Sequence, residues 1–194
     1  METSSTARAQ EILEFWFGAG DVYGTSRKQW FQKEPAFDEA IRRRFLDVYE
    51  HAAGGHLEDW HGRAHDCLAL IIVLDQFPRN MFRGSGRAFA ADRLARQAAE
   101  HALAQGFDRL LLPVERMFIY LPLEHSELLA DQERCVALMK SLAPFAETRE
   151  LHVWAEKHRV IIERFGRFPH RNAALGRAST AIEIAFLQQP GSGF

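Results

Sequence analysis

The chain has 194 residues, 47% of them hydrophobic and 26% charged. That balance is ordinary for a water-soluble globular chain, and the length predicts one domain, residues 1–194, whose core needs no disulfide or metal staples. A net charge of −2 excludes a strongly basic surface, so no nucleic-acid partner is expected. Cys67 and Cys135 cannot make a disulfide framework and point to a reducing, cytoplasmic setting. No apolar run approaches the roughly 20 residues that span a bilayer, and the polar start METSSTARAQ is no signal peptide, so no membrane partner is expected.

Ala (27) and Leu (20) outnumber Val, Ile and Thr together (21), which leans helical. Fifteen Phe against three Tyr and four Trp favour core filling over base stacking. Ile12, Leu13, Trp16 and Phe17 form the stripe of a first helix closed by Gly18 and Gly20. Pro35 opens a second, whose face is Phe37, Ile41, Phe45, Val48, Tyr49 and Ala52, stopped at Gly54-Gly55. The third runs from about Asp66 to Phe77; Leu68 to Leu74 is apolar on every side, the mark of a central, buried helix. Asp92 is the expected N-cap of an Ala-rich helix ended by Gly106. Pro113 opens a helix that Pro122 is expected to break, and Ser126 is expected to cap the next. A long helix covers about Thr148 to Phe165, and Thr180 to Glu183 fits a capping box for a last short one. Residues 188–194 are expected to fray. No strand alternation, repeat of fixed period or linker interrupts the pattern, so the expectation is a single all-α domain of helical hairpins around the third helix.

One short self-similarity stands out. Gln76-Phe77-Pro78-Arg79-Asn80 resembles Arg167-Phe168-Pro169-His170-Arg171-Asn172. Proline after an apolar helix predicts a helix stop both times, with Asn hydrogen-bonding the freed backbone. Stopping a helix does not require Arg twice, nor His170 beside the second. Asp75, in the last turn of the most apolar helix, faces the negative end of the helix dipole and needs a cation, most simply Arg79. Glu124-His125-Ser126-Glu127 precedes an acidic first turn; a helix start beside His125 would lower its pKa and leave a neutral imidazole. His158 lies in an apolar stripe between Trp154 and Ile161, where burial would do the same.

His61 and His65 are four apart, but Gly62 interrupts them. There is no Cys-x-x-Cys, zinc-protease signature, phosphate loop or nucleophile elbow, so no metal or cofactor is expected. Four segments, Ile12 to Gly18, Leu74 to Asn80, Leu121 to Glu127 and Arg164 to Asn172, resemble the motifs of an uncharacterised bacterial family catalogued as domain of unknown function 924. The resemblance covers nearly the whole chain, and it implies an all-helical fold of the tetratricopeptide-like superfamily but no activity.

Two functions are open. One is a small-molecule enzyme or binder with an Arg/His pocket for a carboxylate or phosphate. Arg79, Asn80, Arg167, His170, Arg171 and Asn172 would line it, His125 or His158 would move a proton, and Asp75 or Glu124 would orient the imidazole. In that reading the two Phe-Pro segments meet in space. The other is a helical scaffold that binds a peptide or protein in a groove.

Overall fold

A helical rod over residues 64–81 lies at the centre of the protein because its side chains offer almost nothing to water. Cys67 to Leu74 are each at most 3% exposed, and Phe77 and Met81 continue the buried run. The computed structural model describes residues 2–193, with side chains from 6 to 193; Met1 and Phe194, the ends of the expected domain and tail, lie outside the described residues. Around the rod stand α1 (Glu2–Phe17), α2 (Pro35–Ala53), α5 (Asp92–Ala104) and α6 (Pro113–Glu124). The rod itself is α3 (Ala64–Ile71), a π-helical turn (Ile72–Gln76) and α4 (Phe77–Met81). Beyond α6 the chain adds α7 (Leu129–Ser141), α8 (Leu151–Phe165) and the short α9 (Ala181–Leu187), with α7 packed between α6 and α8. No strand occurs among the described residues.

The phenylalanine excess goes mainly into the core. Trp16 meets Trp30, Phe37, Phe77 and Phe118 with ring centres 5.6–6.3 Å apart. The end of α1 is closed by Arg27, whose Nη1 donates to the carbonyls of Phe15 and Trp16, groups a helix terminus leaves without partners. Pro35 sits in the first turn of α2, and Thr180 and Glu183 form the expected capping box of α9.

Four local expectations are corrected. Pro78 does not stop its helix. Proline lacks an N–H, and its ring presses on the carbonyl four residues back. The preceding turn widens instead, with the N–H of Phe77 reaching the carbonyl of Ile72, and α4 continues until Phe82 N bonds Pro78 O at 2.9 Å. Pro122 likewise lies inside α6, which runs on to Glu124. Ser126 precedes α7 without capping it: the N-cap position is Leu128, and the Ser126 hydroxyl donates to Asp131 at 2.6 Å. Asp92 is the first residue of α5, not its cap, because two arginines take its carboxylate. The second proline motif does follow a stop: α8 ends at Phe165, and Gly166 takes the left-handed φ of +67° before the 3-10 turn Pro169–Arg171.

Candidate functional site

The widened turn places Asp75 in the interior, fully buried, with its carboxylate turned toward the loop after α6. His125 Nδ1 lies 2.8 Å from Asp75 Oδ1, and Gln76 Nε2 donates to Oδ2 at 2.6 Å. Burial alone would raise the Asp75 carboxyl, but the Arg79 guanidinium and His125 hold it below the usual carboxylate range. An ionised carboxylate only accepts, so His125 carries its proton on Nδ1 and presents Nε2 as a lone pair. Nε2 has no hydrogen-bond partner among the described residues, and the His125 side chain is 15% exposed.

His125 is the C-cap residue of α6 and not the opening of a helix, so the expected dipole effect does not operate. Burial, and after it the Arg79 guanidinium, lowers its pKa instead. The loop that carries it is pinned by Gln132, whose buried Nε2 reaches the carbonyls of Glu124 and Ser126 at 2.5 and 2.7 Å. The Glu124 carbonyl is an orphan acceptor of the helix terminus, satisfied by a side chain.

Arg79 pairs with Asp75 as expected, at 3.3 Å, and also donates to the Asp75 carbonyl at 2.6 Å. Its stronger attachment is a two-pronged one to Asp92, at 2.9 and 3.0 Å. Arg171 reaches the same carboxylate at 3.1 Å. The two Phe-Pro segments therefore do meet, and the anion between their arginines is supplied by the chain itself. Burial, then Arg79, lowers the Arg171 pKa to about 10, which leaves it charged.

Behind this layer Glu124 is buried. Its Oε1 lies 3.5 Å from His158 Nδ1, and that nitrogen is 2.9 Å from the Trp154 carbonyl. Burial, with repulsion from Asp75, pushes the Glu124 carboxyl up to about 8. Burial lowers His158 to about 3 and His170 to about 4. At neutral pH the inner layer thus holds neutral imidazoles and a neutral carboxylic acid.

Three expected ligand-binding residues lie elsewhere. Arg167 forks onto Glu183 at 2.6 and 2.8 Å, locking the start of α9. Asn80 donates to Asp38 on α2, and Asn172 is bound to Ser179 and Arg177 within its own loop. Sequence reasoning missed Asp92, Gln76 and Gln132 as site residues; only Gln76 carried a signal, its place in the Leu74 to Asn80 motif. No group of three or more His, Cys, Asp or Glu with a metal-holding arrangement occurs among the described residues. Cavities open on the surface beside Tyr23 and Arg63, of about 520 Å³, and along α8, of about 600 Å³. Neither is lined by Arg79, His125, His158 or Arg171.

The fold and the cluster define an all-helical domain with a buried Asp-His-Arg centre. The chain belongs to the family described as bacterial protein of unknown function DUF924, whose model matches residues 12–191. Among solved structures it is similar to a protein of unknown function from Agrobacterium tumefaciens, at 40% identity and a TM-score of 0.85, covering 96% of this chain and 99% of that one. No curated protein matches.

Proposed function

We propose that the chain is a small-molecule enzyme or binder whose site is the edge formed by His125, Arg79 and Asp92. The observation that carries this reading is the His125–Asp75 pair. A buried carboxylate fixes the tautomer of a neutral imidazole and leaves Nε2 open at a partly exposed edge, in a cluster whose charges include Arg79 and Arg171. His125 is the base, Asp75 its orienting carboxylate, and Arg171, which keeps donors beyond its bond to Asp92, holds the ligand. The helical hairpins are read as tetratricopeptide-like, supported by α6, α7 and α8 packing in sequence with short connections. A cytoplasmic setting goes with it, supported by two free, buried cysteines; no described helix is long and apolar enough to cross a membrane.

The test is imidazole nitrogen NMR during titration with acetate and methyl phosphate, followed by a panel of carboxylate and phosphate esters. Expected are saturable shifts at His125 and an activity that falls by about 10²–10⁴-fold in His125→Asn. An unperturbed His125 in every titration would overturn the reading. One observation favours the scaffold reading: Val153, Trp154 and Val160 on α8 are about half exposed beside the larger cavity. If a partner helix binds that face while His125 stays inert, the scaffold reading replaces the first.

A further inference from the structure

Arg171 is 6% exposed, yet its guanidinium is only partly used. Nη1 holds Asp92 at 3.1 Å, Nε is buried without a partner, and Nη2 makes no hydrogen bond among the described residues. Leaving a buried donor unmade is costly, so an open Nε on a charged group asks for an acceptor. The guanidinium is also held in place by aromatic rings. Its Cζ lies 4.5 Å from the ring centre of Phe168 and 4.7 Å from that of Phe89. The result is a rigid fork whose Nη1 is tied to Asp92 while Nε and Nη2 have no hydrogen-bond acceptor among the described residues.

Charge narrows what fits. Asp75 and Asp92 are balanced by Arg79 and Arg171, and both Nη groups of Arg79 already face Asp92 or the Asp75 carbonyl. Burial keeps the neighbouring imidazoles of His158 and His170 neutral, so neither adds positive charge at neutral pH. One fork matches the two oxygens and single charge of a carboxylate. Since the two aspartates already offset the two arginines, any entering anion adds uncompensated charge, and a carboxylate adds about half of what a phosphate monoester does.

We propose that the Nε/Nη2 edge of Arg171 binds the carboxylate of a small monocarboxylic acid in two-pronged fashion. This deepens the anion-site reading above and rests on it. The ligand's carboxylate then lies in the same cluster as His125, and Asp92 serves as a positioning residue that holds the fork from its other side.

Acetate and methyl phosphate, both small and different in charge, separate the outcomes at neutral pH. Expected are one-to-one binding of acetate, methyl phosphate weaker by about tenfold or more, and a downfield shift of the Arg171 Nε–H resonance with acetate. Arg171→Lys keeps the charge but loses the fork, and should weaken acetate by about tenfold or more. The wild-type Nε–H resonance decides the matter even if that variant fails to fold. Methyl phosphate binding equally or better at Arg171 overturns the carboxylate assignment and leaves the anion site standing. Acetate binding with no response at Nε–H, or unchanged in folded Arg171→Lys, overturns the role of Arg171. Binding of neither anion overturns the underlying reading, and this one with it.

Discussion

Arg171, near the end of the chain, shares the carboxylate of Asp92 with Arg79, approaching Oδ2 to 3.1 Å where Arg79 approaches to 3.0 Å. Two guanidinium groups this close repel unless an anion lies between them. Asp92 supplies it from the first turn of α5, where the helix dipole also favours a negative charge. One side chain thereby ties together α4, α5 and the 3-10 turn after α8.

Asp92→Ala should therefore destabilise strongly, by about 3–5 kcal/mol, because it leaves the buried Arg171 without its ion-pair partner and Arg79 with Asp75 alone. A control is Glu100→Ala, which breaks an ion pair with Arg134 whose side chains are 36% and 46% exposed. That change should cost less than about 1 kcal/mol. Urea unfolding of both variants makes the comparison. Equal, small losses would mean that Asp92 does not hold the arginines in solution.

Asp75→Asn preserves shape and removes the charge that fixes His125. In the wild type, nitrogen NMR should find the proton of His125 on Nδ1 and a lone pair on Nε2. In the variant the tautomer should become mixed, and the fold should lose stability because Arg79 loses one of its two partners. An unchanged His125 tautomer would show that the 2.8 Å contact does not control the ring.

Much of the architecture was readable in the sequence because it follows from local periodicity. The all-round apolarity of Leu68–Leu74 marked the central rod, and the glycines and Pro35 marked helix ends. Proline was where local rules failed. At Pro78 and Pro122 neighbouring helices hold the chain helical despite the missing donor, through a widened turn in the first case. The pairing of Asp75 with Arg79 was readable at four-residue spacing; the role of Asp92 was not, since its partners arrive from distant segments. Arg167, Asn80 and Asn172 look like site residues in sequence because they stand in the paired motifs of Arg79 and Arg171, yet each serves a different local join.

Ile71→Ala should cost about 2–5 kcal/mol, since Ile71 is fully buried in the rod and its removal leaves a cavity that the packed helices cannot fill. Val153→Ala, on the 45% exposed face of α8, should change stability by less than about 0.5 kcal/mol. Denaturant midpoints at constant slope make the measurement. A loss below about 1 kcal/mol at Ile71 would place the rod at the surface.

The inner layer also sets a pH dependence whose two limbs have different owners. Burial and Asp75 raise the Glu124 carboxyl from 4.5 to about 8, so the folded state holds a proton that the unfolded chain releases. That contribution is complete below about pH 4.5 and is lost as pH rises through about 8. His158, lowered to about 3, and His170, lowered to about 4, work in the opposite sense. Their contribution is complete above about pH 6.5 and is lost as pH falls, because the unfolded chain takes up protons first. Between about pH 4.5 and 6.5 the two oppose each other, and from about 6.5 to 8 only the Glu124 limb remains. The urea midpoint of the wild type should therefore decline across that upper window. Glu124→Gln, which keeps the shape and cannot ionise, should flatten the decline while the acid limb persists. A decline of the same size in Glu124→Gln would assign the alkaline limb to some other group.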